Sequence, residues 1–549
     1  MTYQTPYNVK FPTYTGATLS AKGDGVTNDT AAIQAAVKAC AQAGGGEVYF
    51  PKGVYRVGSN TLNALASTDI PAGAGSVAIN FVGEGKWASI IQLDPALFTG
   101  QGYILYTPTT YTTQIGSSFT DLGFYGSPPG AGFNYSNINS TSNGFYFYGS
   151  DSPGVFNQSY RFTRCMMQGF NIHFDFEGAE SCSEVVHVGC TYQQNKTALY
   201  KLNNLQSFNH SFYSTDMEEL YGDGFYFGAG GGGAVQVFGG SFIMHDNGTT
   251  SNRWAVNSPN ALTGGIQPIN FTGTRFELRG SYTNLINVIG GNTVRAVFRD
   301  TFILDEATTT KANWLKIGNL SRVDFEGDSE IQHQNGYATN VTVNGSADYG
   351  EPGTVVFDKT TLPPDFSDQC AVTGWVGLIS ARNIQGGNSN ATGNAHYAND
   401  FDLLGGMSAK GQYTAWSHTA LPGAGGLSAL QPRLKTAWMK APAEYFPGSS
   451  SSEITLKMPK GALVKSIYLR AAAGGFDTTS TKWQVTDNTK AAVHLQTAAA
   501  AANTAFAADL EKYFYCLGSA VNDRTLRLSM TAYPTSGYNS GGFVMVEYY

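Results

Sequence analysis

The sequence predicts an all-β fold: a right-handed parallel β-helix with an N-terminal capping helix and a C-terminal β-sandwich. Three observations carry that expectation. Phenylalanine-anchored segments recur every 26 to 33 residues between 207 and 334. Charged residues make up only 13% of the 549-residue chain, whereas Gly occupies 66 positions and aromatics account for 13%. One amphipathic helix pattern lies ahead of these segments, near the N-terminus. Few charges and many glycines suit a β-rich chain with frequent tight turns and suit a helical bundle poorly.

The repeats emerge when an aromatic residue is aligned, followed by a polar turn and another strand. Anchors Phe212, Phe238, Phe271, Phe298 and Phe325 are each followed, three residues on, by Thr215, Ser241, Thr274, Thr301 and Asp328. A period of this length built from short strands is the signature of a solenoid, and three short strands per coil fit it. Leucine-rich and helix-pair repeats fit badly, because neither LxxLxL nor sustained helical periodicity occurs. Strands would pair in parallel, with anchors stacked inward about 4.8 Å apart. The segments at 119–126 and 162–170 belong to the same array, and Cys165 and Cys190 stand in a small-residue core column.

Within residues 23–57, Asn28 or Asp29 caps a helix whose Ile33, Ala36, Val37 and Cys40 share one face. Gly44, Gly45 and Gly46 stop it, and short alternating strands follow around Pro51-Lys52-Gly53. Such a helix would cover the open end of a strand stack, where core and unpaired backbone are otherwise exposed. Residues 1–57 are thus a cap with the first strands, and 58–380 the β-helix. Residues 381–428, rich in Asn, Gly, Ala and Ser, read as a linker. Residues 429–549, with alternation in EITLKM, RTLRLSM and FVMVEYY, read as a β-sandwich. The alanine-rich stretch 498–508 interrupts it as a helix or loop.

The net charge of −7 argues against nucleic acid as a partner, since phosphate binding needs clustered positive charge. No apolar run approaches eighteen residues, which argues against membrane insertion, and the N-terminus lacks the pattern of a signal peptide. The six cysteines show no close pair, so they read as reduced core residues rather than as metal or redox ligands.

The stretch GDGVTNDTAAIQAAVKACAQAGGGEVYFPKGVYRV resembles the N-terminal signature of the pectate-lyase-like superfamily, as found in phage tailspike depolymerases. Asp24 and Asp29 within it are explained by turn and capping duties. The resemblance implies a catalytic, glycan-binding face on 58–380, a role in trimerisation or glycan binding for 429–549, and a homotrimer on a virion tail that hydrolyses a bacterial surface polysaccharide (capsular, exo- or O-antigen) without a cofactor, in company with other phage tail proteins. A lyase cutting an acidic glycan by β-elimination and a non-catalytic glycan-binding adhesin are the alternatives. The chain starts almost directly at the capping motif, so such a spike would be trimmed or would dock through another protein.

Hydrolysis of a glycosidic bond needs two carboxyl groups flanking it. Counted from each anchor, the fifth residue (Met217, Ile243, Phe276, Ile303, Glu330) is mostly apolar and expected inward. The sixth position includes Glu218 and Glu277. The eighth holds Leu220, Asp246, Arg279, Glu306 and His333. A diagonal Asp246–Glu277 pair would lie roughly 7–8 Å apart, inside the spacing of an inverting pair. Asp246, Glu277 and Glu306, with Glu218 in reserve, are therefore the catalytic candidates. Arg279 and Arg275 would clasp a sugar carboxylate or hold one acid ionised. Val237 and Val297 break phase with the anchors, which leaves His245 or Asp305 as alternative outward residues. His245-Asp246 would be the base pair of an elimination. Trp254, Trp314 and Trp375 are candidates for sugar stacking. The glycine run 228–233 lacks the features of a phosphate loop, and no metal is expected. Phe242, Met244, Phe302 and Leu304 are expected outward, where a trimer would cover them.

Overall fold

The computed structural model describes residues 7–63, 76–107, 115–126, 135–149, 157–179, 182–259, 266–289, 294–307, 314–318, 321–333, 341–345 and 353–362, and beyond these individual strands. Trp375, the turn at 335–337 and most of 381–428 and 498–508 lie outside the described residues. Two compact units are present: residues 1–343, 353–371 and 379–402, and residues 344–352, 372–378 and 403–549.

The first unit is a parallel β-helix. Successive coils contribute strands to three sheets, the third from the strand Gly102–Tyr106 onward, and these strands pair in parallel with their equivalents one coil away. The first sheet includes the strands from Tyr7–Asn8 through Gly353–Asp358, the second those from Asp24–Asn28 through Gln385–Gly386, and the third those from Gly102–Tyr106 through Val341–Gly345. Gln385–Gly386, inside the stretch expected as a linker, pairs with Thr361–Leu362 as a second-sheet strand.

The corner between the first and second sheets is short and repeats one conformation. Asp121, Arg164, Ser214 and Asp300 have φ of 55°, 50°, 47° and 52°, and Gly189, Gly239 and Gly273 occupy the same corner at 61°, 68° and 63°. Asp and Gly tolerate this left-handed region at small cost, so the polar turn seen in sequence is a steric requirement.

Inside, one column runs through Phe81, Phe119, Phe162, His187, Phe212, Val237, Phe271, Phe298, Phe325 and Phe357. Ring centroids of successive members lie 4.8–5.0 Å apart at Phe119–Phe162, Phe271–Phe298 and Phe325–Phe357. This is the strand spacing itself, so the ladder fills the core without displacing the backbone.

Here the sequence expectation is off by one residue at a single coil. Val237, not Phe238, occupies the column, and Phe238 faces outward, stacked on Tyr213 at 5.1 Å. A one-residue slip exchanges the two faces of a strand, so the second-sheet assignments after Phe238 change too, and the three-residue corner 327–329 shifts those after Phe325 in the same way. Met217, Phe242, Phe276, Ile303 and Ile331 form the inward column of the second sheet. Phe242 and Met244, expected outward, are fully buried, whereas Ile243 and Glu330, expected inward, face outward. Phe302 and Leu304 are half-buried on the outer face, as expected. The small-residue column shifts likewise: Cys165, Cys190, Thr215, Thr274, Thr301 and Ser329 are buried at the corner, with Gly240 and Ser329 standing where Ser241 and Asp328 were expected. The Cys165 and Cys190 thiols donate to the Phe119 and Phe162 carbonyls at 3.3 and 3.4 Å.

A helix, Thr30–Gln42, packs on the strands Tyr7–Asn8, Gly46–Phe50 and Ile79–Gly83 through Ile33, Ala36, Val37 and Cys40. Asp29 occupies the N-cap but makes no cap bond. Its carboxylate accepts from the Lys22 and Gly23 amides at 2.7 and 3.0 Å, while Asn28 accepts from the Thr30 amide at 3.1 Å. Asp29 thus ties down the incoming chain, and Asn28 satisfies the helix start.

The second unit holds two four-stranded antiparallel sheets. One comprises Lys435–Ala441, Gly542–Tyr548, Val464–Ala471 and Phe506–Asp509; the other comprises Glu453–Met458, Arg524–Ala532, Lys482–Asp487 and Val493–Gln496.

Candidate active site

Two outer faces of the β-helix concentrate charge. The second-sheet face carries most of the residues predicted from sequence. Glu277 is buried and clamped: Arg275 pairs with its Oε1 at 2.5 Å, and Arg279 donates to its Oε2 from Nε at 3.0 Å and Nη2 at 2.5 Å. Arg279 also reaches Glu306 at 3.5 Å and donates from Nη1 to Nε2 of His245 at 3.0 Å. Arginine can only donate, so that ring nitrogen is the acceptor of a neutral imidazole. Burial and then the Arg279 charge push the His245 pKa down. Glu218 accepts from Gln193 and Ser241, each at 3.2 Å.

Glu277, Glu306, Arg275, Arg279 and His245 are therefore brought together, with Glu218 on the same sheet two coils earlier. The other predicted residues lie elsewhere. His245, not Asp246, registers with Arg279, and Asp246 is an exposed loop residue accepting from the Gly248 amide. The expected Asp246–Glu277 diagonal is therefore absent, because the Phe238 slip and a register shift between Met217 and Leu220 move the column. Asp305 points inward and accepts from the Ala307 amide at 2.9 Å; His333 registers beside it. Trp254 and Trp314 are buried, which leaves no indole face there for a sugar. Both oxygens of Glu277 are taken by guanidinium groups, an arrangement that locks a carboxylate rather than freeing it for proton transfer.

The third-sheet face was not singled out from the sequence. Strands Ser142–Gly149, Ile172–Gly178 and Ala198–Asn204 alternate strictly. Phe145, Phe147, Phe174, Phe176, Tyr200 and Leu202 point inward, which turns Tyr146, Asp175, Glu177, Lys201 and Asn203 outward. Parallel register then aligns Tyr106, Tyr146, Asp175, Lys201 and Tyr226 on consecutive coils. Tyr106 and Tyr146 stack at 4.7 Å, and Tyr103 meets them at 5.2 and 5.4 Å, all three rings half-buried.

Next to this platform, the Lys201 ammonium lies 3.1 Å from Asp175 Oδ1 and contacts Glu177 Oε1 directly. Asn203 donates to the other Glu177 oxygen at 2.6 Å. Asp175 is 6% exposed. Burial pushes its pKa up to about 6, against the lowering effect of Lys201 and with the help of Glu177. Burial works against the Lys201 charge, but Asp175 and Glu177 raise its pKa. The Tyr103 phenol is pushed up to about 12 by burial and then by Asp175. Further along, burial pushes Asp223 up to about 6, and its oxygens accept from the Trp254 amide at 2.9 Å and from Asn257 at 2.7 Å.

These carboxyls act on stability together with three fully buried histidines. His187 sits in the phenylalanine column with Nδ1 2.6 Å from the Tyr192 hydroxyl, and Tyr200 lies 2.7 Å from His210 Nδ1. Burial pushes His173 and His210 down to about 3, and His187 down as well. Lowered histidine pKa values contribute stability that is complete above about pH 6.5 and is lost as pH falls toward 3. The raised values of Asp175 and Asp223 act oppositely: their contribution is complete below about pH 4 and is lost as pH rises through 6. From these five groups, unfolding takes up about one net proton between pH 4 and 6 and about three below pH 4, at about 1.4 kcal/mol per proton per pH unit. The urea midpoint of the full chain should therefore drift down gently from pH 6.5 to 4 and collapse below 4. A steep fall already at pH 6 to 5 would show that the two carboxyls titrate normally.

Comparison with known proteins agrees with the architecture. Residues 17–258 match the family model described as Rhamnogalacturonase A/epimerase, pectate lyase-like. A mannuronan C5-epimerase of Azotobacter vinelandii (AlgE2) is 40% identical over 87 residues, which span 16% of this chain and 8% of that protein. The chain thus spans a small part of the curated relatives it matches. Among solved structures, the A-module of the Azotobacter vinelandii epimerase AlgE6 aligns over 71% of this chain and 97% of its own, at 16% identity and a TM-score of 0.41. The tailspike protein of E. coli bacteriophage HK620, solved with a pentasaccharide, aligns over 96% and 91% at 10% identity and a TM-score of 0.34. The N-terminal unit is thus a parallel β-helix with three sheets, and residues 17–258 within it match a pectate-lyase-like family model.

Proposed function

We propose that this protein is a polysaccharide depolymerase of the tailspike type, which hydrolyses glycosidic bonds of a bacterial surface polysaccharide on the outer face of the third sheet. One observation carries the reading: two carboxyls of one strand share the Lys201 ammonium beside a platform of three tyrosines. Asp175, with its pKa raised to about 6, remains partly protonated near neutrality and is the general acid that protonates the leaving oxygen. Glu177, hydrogen-bonded by Lys201 and Asn203, is the partner carboxylate that activates water or attacks the anomeric carbon. Tyr103, Tyr106 and Tyr146 present ring faces and hydroxyls to neighbouring sugars.

Elimination is less well supported. It needs a strong base beside the uronate and a cation for its carboxylate, but Lys201 is engaged by two acids and the Tyr103 phenol is pushed up to about 12. Glu277, Glu306 and Arg279 act on this reading as a clamp that holds successive second-sheet strands in register.

The deciding measurement is product analysis after incubating the full chain with capsular polysaccharides from a panel of bacteria. New reducing ends without ultraviolet-absorbing unsaturated sugars are expected for one capsule type. Unsaturated products would transfer the assignment to a lyase, and no product from any bound glycan would make the protein an adhesin. The proposal includes a closed homotrimer on the virion tail. Ile243 and, two coils further on, Phe302 and Leu304 leave apolar side chains half-buried on the outer face of the second sheet, either side of the Glu277 strand, and a trimer would bury them. Light scattering at micromolar concentration should return three times the chain mass, and a monomer mass would remove this part of the proposal.

A further inference from the structure

The connection between the first- and second-sheet strands Ile79–Gly83 and Ser89–Leu93 is five residues long, whereas the following coils turn with two, or with three at 327–329. Its extra length is laid along the helix axis. The Lys86 ammonium donates at 2.8 Å to Thr191, which registers three coils beyond Ile90. The Lys86 carbonyl lies where a side chain at position 123 would be, 2.4 Å from an added Cβ, so Gly123 is a cut-out for this loop. Beneath it, Ile90, Tyr125 and Met166 form a buried cluster on what would otherwise be an open face.

With apolar surface so close, an indole with a packing role would be buried. Trp87 at the loop tip instead remains 61% exposed. It rims a cavity of about 600 Å³ whose lining includes Lys52, Glu84, Asp121 and Arg164. Arg164 and Asp121 form a bidentate pair at 2.7 and 2.6 Å, which holds the guanidinium rigid. Glu84 accepts from Tyr49 and from the Lys52 amide. The Lys52 ammonium has no ion-pair partner among the described residues, so the cavity presents a free cation opposite a free aromatic face.

We propose that this corner is a second, non-catalytic saccharide site for an acidic sugar, which stacks on Trp87 while its carboxylate meets Lys52. A sugar's C–H face against indole is an apolar contact of defined geometry, and a lysine beside it selects the charged residue of a repeating unit. The site rests on the polysaccharide reading above for its class of ligand and deepens it: a second hold on the same long chain raises avidity without adding chemistry.

The test is binding of the full chain to polygalacturonate and alginate, with dextran as neutral control, in an Asp175→Asn background so that the probe is not consumed. Trp87→Ala should weaken uronan binding about 3–10-fold, as expected for losing an aromatic contact, and Trp87→Phe should restore most of it. Lys52→Gln should flatten the salt dependence. In the Asp175-containing protein, Trp87→Ala should leave turnover of short oligosaccharides unchanged. The proposal is overturned if Trp87→Ala and Lys52→Gln bind like the parent, if the parent binds neither uronan, or if it binds dextran as tightly. If Trp87-dependent binding persists but the unmodified protein cleaves nothing, the hydrolase reading fails and this site stands.

Discussion

Asp175→Asn should slow polysaccharide cleavage by about 10²–10⁴-fold, the usual worth of a positioned general acid, and leave the fold intact. The amide keeps the shape of the carboxyl and its place beside Lys201, 3.1 Å away, but has no proton to give. Because the Asp175 pKa is raised to about 6, wild-type turnover should fall as pH rises above that value and the acid form is lost. Glu177→Gln should be as damaging and remove the partner carboxylate, while Tyr146→Ala should raise KM more than it lowers kcat. The informative control is Glu277→Gln on the second sheet. It breaks a buried clamp between two arginines and should cost stability while sparing turnover of the protein that folds. If Asp175→Asn and Glu177→Gln cleave at wild-type rate and Glu277→Gln or Glu306→Gln does not, the active face is the second sheet, as the sequence pattern suggested.

Phe271→Ala should destabilise the β-helix by about 3–5 kcal/mol, the range for emptying a buried phenylalanine site. Phe271 is fully buried and meets Phe276 and Phe298 at 5.0 Å each, with Phe225 and Phe242 behind them. The ladder cannot close the gap, because each ring is held at the strand spacing by its own coil. Phe238→Ala offers the contrast, since that ring lies outside on Tyr213 and should cost well under half as much. Urea unfolding of the two variants separates the two possible registers. Equal losses would mean that Phe238, not Val237, fills the column.

Much of the fold is legible in the chain because it depends on local chemistry. The helix Thr30–Gln42 buries Ile33, Ala36, Val37 and Cys40 because their spacing permits one apolar face and no other. The coil repeat is visible because each corner needs a residue that tolerates positive φ, and Asp, Ser or Gly recurs there. The third-sheet site was also written in the sequence, as the alternation of Phe with Asp and Glu in IHFDFEG. It lies outside the repeat of corner phenylalanines, and Asp175 and Lys201, 26 residues apart, become neighbours only through parallel pairing.

Local pattern therefore specified strands, corners, the N-terminal helix and the recurrence of a phenylalanine before each corner, all of which depend on residues within one coil. It could not specify phase or partnership between coils. Val237 and Phe238 are both apolar, and either could face inward until the rings of the adjoining coils selected the smaller one. Arg275 and Arg279 clamp Glu277 from its own strand, whereas the state of Asp175 is set between coils, where burial beside Lys201 raises it to about 6. Charge and desolvation act through space, so the chemistry of the third-sheet face is decided by Lys201, which the coil repeat brings beside Asp175 from 26 residues away.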